Sequence, residues 1–181
     1  MNNHIQVIEN FLSQEECDFI LNKYKNELIL SEAQVANGNY KSRKSSVGWI
    51  DELSGINERL TNLLKTTYNI SGMEVTGLGP FQFTEYIVGE YFDWHSDRSR
   101  EYYRDRFVSI VIQLNDNYSG GIFEIKDIKN NLIPIKQNAG NLFMFDSGLK
   151  HRVTPVETGV RYSLVNWVSL VKNKINKQNL L

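Results

Sequence analysis

The chain has three histidines, and one of them stands two residues before an aspartate in the stretch YFDWHSDRS, residues 91–99. Residues i and i+2 of a strand point to the same side, so His95 and Asp97 can both reach one ion. An imidazole and a carboxylate suit a borderline divalent metal. A second histidine would complete one face of three ligands and leave the opposite positions open. Asp93 lies on the same alternating face and competes with Asp97 for the carboxylate role. The competing reading is an ordinary polar pair at the end of a strand, since a match as short as H-x-D arises readily by chance.

Of the other two histidines, His4 precedes the first helical pattern and reads as an exposed bystander. His151 opens KHRVTPVETGVRYSLVNWV just after the strand-like NLFMFDSG. It could be structural, or it could meet His95 where strands remote in sequence come together. Arg161 and Ser163 share a face of the last long strand. An arginine pointing into a barrel needs an anion, because a buried unpaired charge costs several kcal/mol. A guanidinium grips a carboxylate through two parallel hydrogen bonds, and a nearby hydroxyl can add a third. The alternative is an exposed arginine, or one paired with a protein carboxylate such as Glu157.

The elements that would position these groups follow from periodicity. Ser13-Gln14-Glu15-Glu16 forms a capping box, and Cys17, Ile20, Leu21, Tyr24 and Leu28 then recur at helical spacing over 13–28. Ile56, Leu60, Leu63, Leu64 and Thr67 line one face of a second helix over about 55–68. Between the helices, SEAQVANGNYKSRKSSVGW has no clear period and reads as a polar, basic loop with room for short strands. From Met73 the period becomes two. FQFTEYIV sets Phe81, Phe83, Glu85 and Ile87 against Gln82, Thr84, Tyr86 and Val88. RFVSIVIQLN sets Val108, Ile110, Ile112 and Leu114 against Phe107, Ser109, Val111 and Gln113. GIFEIKDI, NLIPIK, NLFMFD, HRVTPV and VRYSLVNWVSL continue the series, with turn signals between them. SGG at 119–121 reads as a tight turn needing positive φ.

Two helices followed by about eight short strands predict a mainly β, α+β domain: a double-stranded β-helix, or jelly roll, with both helices packed on one sheet. The expected organisation is a single domain over 1–181, helical to about residue 70, with a jelly-roll core over about 73–171. The polar strand faces would meet either solvent or a wet internal cavity. The tail VKNKINKQNLL is expected to fray.

Composition narrows the function classes. Twenty basic against 21 acidic residues give a net charge of −1, with no bulk attraction for nucleic acid or anionic membrane. The single cysteine, Cys17, rules out an intrachain disulfide framework and fits a reducing compartment. The opening MNNHIQVIENFLSQEE lacks a basic n-region and a long apolar stretch, and no run approaches the ~18–20 apolar residues of a membrane span. The expectation is a soluble cytoplasmic protein.

Taken together and in order, TEYIVGEYFDWHSD, RFVSIVIQLNDNYSGGIFEI and GNLFMFDSGLKHRVTPVETGVRYSLVNWV resemble the catalytic core of the Fe(II)/2-oxoglutarate-dependent dioxygenases, in particular the prolyl 4-hydroxylase-like branch. VIENFLSQEECDFIL is similar to the first helix of that family. The resemblance implies that His95, Asp97 and His151 hold Fe(II), and it favours Asp97 over Asp93. It implies that Arg161 binds the distal carboxylate of 2-oxoglutarate with help from Ser163, and that Tyr86 hydrogen-bonds the same cosubstrate. Trp167 would stand near the metal-side wall or serve the core. Gln113 occupies a position where some relatives carry a tyrosine, which leaves its role open.

The implied reaction couples oxidative decarboxylation of 2-oxoglutarate by O2, yielding succinate and CO2, to hydroxylation of a C–H bond. The implied substrate is a prolyl residue in a protein or peptide, and ascorbate is a candidate accessory. The loops DRSREYYRDR and KSRKSSVGW could close over such a peptide, with Tyr102 or Tyr103 on the prolyl ring, or be plain solvated surface. A non-catalytic jelly-roll binding module would bind metal or ligand without turnover. An oxygenase for free amino acids or methylated nucleobases would turn over those substrates instead.

Overall fold

The computed structural model of the protein describes residues 5–35, 40–67, 73–75, 78–98, 106–133, 135 and 137–172. Along the chain these form β1 (Ile5–Ile8), α1 (Gln14–Glu27), β2 (Ser31–Glu32), β3 (Arg43–Lys44), β4 (Ser46–Ile50), α2 (Ile56–Thr67), β5 (Met73–Val75), β6 (Phe81–Tyr86) and β7 (Tyr91–His95). There follow β8 (Arg106–Gln113), β9 (Ser119–Gly120), β10 (Phe123–Lys126), β11 (Leu132–Ile133), β12 (Leu142–Asp146), β13 (His151–Val153), β14 (Val156–Thr158) and β15 (Arg161–Lys172).

The capping box sets the start of α1. The Ser13 hydroxyl accepts from the Glu16 N–H at 3.2 Å, and the Glu16 carboxylate accepts from the Ser13 N–H at 2.9 Å. Glu15 and Glu16 in the first turn and Lys25 in the last complement the helix dipole. Cys17 and Ile20 are buried from α1, and Ile56, Leu60 and Leu64 from α2. Arg59 joins the two helices through the Glu16 carboxylate at 2.7 Å.

Both helices pack on one face of a large antiparallel sheet, order β1-β12-β8-β15-β6-β4-β2, with β5 paired to the far end of β15. Phe81 and Phe83, Val108, Ile110 and Ile112, and Leu164 and Val168 point into this helix-side core. Their neighbours on the same strands point the other way, toward a smaller sheet of order β11-β10-β13-β7-β3. A second core of Val111, Phe123, Ile125, Phe143, Phe145 and Val153 ties the two sheets together at one end. Between them the sheets leave a cleft of about 850 Å³, which Val111, Phe123 and Val153 of this core help to line. The jelly roll and the period-two alternation are therefore as expected, and the polar strand faces of β6, β8 and β15 line an interior cleft.

Three expectations change. The part expected to be helical supplies four strands, since β1 pairs β12, β2 and β4 extend the large sheet beyond β6, and β3 pairs β7. The loop between the helices thus contains a full strand, β4. Second, β6 ends at Tyr86, so Ile87 and Val88 leave the alternation and stand 46% and 58% exposed. Third, β15 runs through Lys172, so the first two residues of the expected frayed tail are strand, while residues 173–181 lie outside the described residues. His4, Tyr102 and Tyr103 lie outside them as well. The SGG turn has the expected geometry. Gly120 and Gly121 have φ of +66° and +55°, and a Cβ on Gly120 would lie 2.3 Å from the Pro155 carbonyl oxygen.

Candidate metal and anion site

His151 opens β13 directly opposite His95, the last residue of β7. Two histidines 56 positions apart in sequence therefore become cross-strand neighbours, with ring centroids 4.1 Å apart. Asp97 sits in the bend just past β7 rather than within it. Its Oδ1 lies 3.6 Å from His95 Nε2 and its Oδ2 3.5 Å from His151 Nε2. The ligand atoms of all three residues fall within 4.8 Å of one another.

A register shift separates Asp93 from Asp97. Val153 pairs Phe92 while His151 pairs His95, so β7 carries one residue more than β13 across this interval. Such a bulge re-aims side chains. It puts Phe92 face to face with His95, ring centroids 3.4 Å apart at 11°, although residues three apart on a regular strand oppose each other. Asp93 no longer follows the alternation. It is exposed, and its carboxylate accepts from the Trp94 N–H at 2.7 Å.

Both imidazoles are oriented by the backbone. His95 Nδ1 donates to the Asp93 carbonyl at 2.8 Å, and His151 Nδ1 donates to the Leu149 carbonyl at 3.0 Å. With the proton fixed on Nδ1, each Nε2 presents its lone pair toward Asp97, the tautomer a metal requires. Burial, with the neighbouring His95 adding to it, pushes His151 down to about 4. Burial works to raise the Asp97 carboxyl, but His151, His95 and the Ser109 hydroxyl outweigh it and hold it well below the usual carboxylate range. Neutral imidazole and ionised carboxylate are the protonation states of metal ligands.

Ser109 and Ser147 complete the support. Ser109 Oγ donates to Asp97 Oδ2 at 2.6 Å, and the same hydroxyl lies within hydrogen-bond distance of Ser147 Oγ, at 2.8 Å. Both serines are fully buried. Neither had a role assigned from sequence, where Ser109 appeared only as a polar member of a strand face. Ser109→Ala should weaken Mn(II) or Co(II) binding by about 10–100-fold, the usual effect of losing a hydrogen bond to a ligating group, and a metal titration checks it.

The protonation states also carry a stability prediction for the metal-free protein. Between pH about 4 and about 6.5, His151 is neutral in the folded chain while an unfolded histidine already binds a proton. The unfolded state therefore takes up more protons, and acidification through that window lowers Tm. Below it, the depressed Asp97 extends the loss. His151→Asn should flatten the upper part of the curve in thermal melts across pH.

The second half of the site is built on β15. Arg161 pairs Tyr86 of β6, and Ser163 pairs Gln113 of β8. Arg161 is 1% exposed, and it donates to Gln113 Oε1 at 2.8 Å and Ser163 Oγ at 3.1 Å. Its Nε has no hydrogen-bond partner, and no carboxylate pairs with it among the described residues. Glu157 approaches Ser119 instead. The guanidinium lies 5.4 Å from the Tyr86 ring centroid, and Tyr118, a residue with no role assigned from sequence, also interacts with it. Burial raises the Tyr118 hydroxyl, and Arg161 opposes that rise. Tyr86, Arg161, Ser163 and Trp167 line the same cleft as His95, Asp97 and His151. Gln113 stands behind them as a brace for the arginine.

These residues fit a divalent ion and an anionic cosubstrate. Two ligand atoms bound to one ion at about 2.1 Å cannot lie more than about 4.2 Å apart, and both carboxylate–imidazole separations satisfy that limit. The guanidinium without an acid is the matching observation for a carboxylate ligand.

The profile of the 2OG-Fe(II) oxygenase superfamily matches residues 81–169, the stretch that holds every residue of this site. A PKHD-type hydroxylase of Thermosynechococcus vestitus is 34% identical over 110 residues, spanning 57% of this chain and 49% of that protein. A PKHD-type hydroxylase of Crocosphaera subtropica is 24% identical over 200 residues, spanning 97% and 83% respectively. The chain thus covers about half the length of some curated relatives and most of others. Among solved structures, a prolyl hydroxylase from Trichoplax adhaerens, in complex with a hypoxia inducible factor peptide fragment, superposes with a TM-score of 0.74 at 22% identity. That superposition covers 93% of this chain and 84% of that one. A Pseudomonas putida prolyl-4-hydroxylase gives a TM-score of 0.72 at 22% identity, covering 93% of both. The core over residues 81–169 is that of the 2OG-Fe(II) oxygenase superfamily.

Proposed function

We propose that the protein is an Fe(II)- and 2-oxoglutarate-dependent hydroxylase of a prolyl residue in a protein or peptide. The observation that supports it most is the meeting, in one cleft, of a His95–Asp97–His151 ligand face with a buried arginine that has no acid partner among the described residues. In this reading the three ligands hold the ion through His95 Nε2, His151 Nε2 and the Asp97 carboxylate. Arg161 takes the distal carboxylate of 2-oxoglutarate. Gln113 and Ser163 fix the guanidinium plane, and Tyr86 borders the same seat, its hydroxyl free of hydrogen bonds to described residues.

When bound, the iron and its cosubstrate supply the oxidative chemistry, with O2 consumed and succinate and CO2 released. The chain's own task is to orient and to exclude water. Ser109 keeps Asp97 ionised and aimed, the backbone carbonyls of Asp93 and Leu149 fix the imidazoles, and the sheet faces enclose the reacting centre. No side chain is needed as a general base. Ascorbate as an accessory reductant belongs to this reading, as does a cytoplasmic location. No helix of the described residues is long and apolar enough to cross a membrane.

The test is conversion of 2-oxoglutarate to succinate by the purified protein with Fe(II), followed by mass spectrometry of proline-containing peptides for a 16 Da gain, the mass of one oxygen atom. Succinate formation that tracks with a peptide supports the reading. Turnover with free amino acids or methylated oligonucleotides alone would replace the substrate, and metal binding with no succinate under any substrate would leave a binding module.

A further inference from the structure

We propose that Arg43 forms a second anion seat in the cleft and selects substrates carrying an acidic side chain close to the hydroxylated residue. The inference rests on the peptide-hydroxylase reading above. Arg43 is a second buried arginine, 9% exposed, and it lines the cleft from the small sheet, opposite the large sheet that carries Arg161. It is held in place from behind. Its Nε donates to Ser45 Oγ at 2.8 Å, and its guanidinium lies over the Phe92 ring at 4.6 Å.

Phe92 is the cross-strand partner of Arg43 and stacks on His95. Guanidinium, phenyl ring and imidazole therefore follow one another, and Arg43 stands one aromatic ring away from a proposed metal ligand.

Among the described residues no carboxylate pairs with Arg43. The acids lining the cleft are otherwise placed: Asp97 faces the two imidazoles, Asp93 caps the Trp94 N–H, and Glu32 is exposed. Among the described residues, five cationic side chains line the cleft against these three acids; Arg98 is paired with Asp146, and Arg106 lies over the Trp167 ring and is likewise engaged. A bound divalent ion would add further positive charge.

A guanidinium fixed through Nε and one π-face keeps its outer N–H fork, which matches a carboxylate in two parallel hydrogen bonds. A backbone carbonyl could accept from the same fork, but it would leave the buried charge uncompensated. The substrate class that answers both demands is a peptide with aspartate or glutamate within a few residues of its target.

The test uses the full chain with Fe(II) and 2-oxoglutarate and a set of blocked proline peptides. Members of the set differ only by Asp or Asn at each position flanking the proline, and kcat/KM is measured for each pair. At one flanking position the Asp peptide should exceed its Asn twin by about tenfold or more, the worth of a charge-assisted hydrogen bond. Arg43→Gln should bring that ratio to within about twofold of unity, and Arg43→Lys should retain part of it. The inference is overturned if no position discriminates, or if Arg43→Gln lowers both twins equally and leaves their ratio intact. Should the native protein release no succinate at all, the hydroxylase reading fails separately. Calorimetric binding of the same peptide pairs to the Mn(II)-loaded protein would still decide whether Arg43 prefers the acidic twin.

Discussion

An Arg161→Met protein should bind 2-oxoglutarate at least about 100-fold more weakly than the native chain, yet melt no lower than it when both are free of ligand. The first half follows from the loss of a bidentate charged contact, worth about 3 kcal/mol or more when its alternative is an uncompensated carboxylate. The second follows from the state of the arginine before ligand arrives. Its guanidinium is buried and donates to the neutral Gln113 and Ser163, and among the described residues its Nε has no partner. Replacing a buried charge in that condition by an apolar chain of similar length is commonly neutral or stabilising. Adding 2-oxoglutarate with Mn(II) should raise the Tm of the native protein by mass action and leave the variant's nearly unmoved. A variant that melts several degrees lower while keeping its 2-oxoglutarate affinity would make Arg161 a structural residue and sink the assignment.

The second large effect is expected at Asp97. It is the only anion of the ligand face, so Asp97→Ala leaves two neutral imidazoles to hold a dication. The loss in metal affinity should exceed the ~100-fold upper range of supporting-residue effects, and succinate formation should fall to background. Asp97→Asn separates charge from shape, because its side-chain oxygen can still accept from Ser109 while the negative charge is gone. Both variants should lose turnover together. His95→Ala should lose it too, by removing one of the imidazoles. Turnover within about tenfold of native in Asp97→Ala would show that the ion is held elsewhere.

Much of this site could be read along the chain. His95, Asp97 and His151 are separated by strands whose period-two pattern is strong, and their order matches a known core. The capping box at Ser13 marked α1 to within a residue. What escaped was whatever the period did not encode. β4 hid in a polar stretch because its helix-facing positions are Ser46, Gly48 and Ile50, two of which carry no apolar signal. Gly48 is there because a Cβ would come within 3.0 Å of both the Leu28 and Leu30 side chains. The bulge in β7 that separates Asp93 from Asp97 has no sequence signature, since it arises from how β13 pairs. Ser109 and Ser147 are small polar residues of common type, and only their meeting with Asp97 in space gives them a role. Arg43 fell in a segment read as loop, so no face could be assigned to it.

The two-faced alternation of β15 limits which changes of length the protein can survive. Arg161, Ser163, Val165 and Trp167 face the cleft, while Tyr162, Leu164 and Val168 face the helices. At about 3.3 Å per residue this one strand measures some 20 Å of the cleft wall, from the anion seat to the tryptophan. Inserting or deleting a single residue between Arg161 and Trp167 would exchange the two faces beyond that point, turning leucine and valine into the cleft and polar groups into the helix core. Change in this strand is therefore confined to substitution, or to steps of two residues. New specificities in this lineage must come from side-chain exchange along the wall or from altered lengths in the connections between strands, with the spacing from arginine to tryptophan held constant.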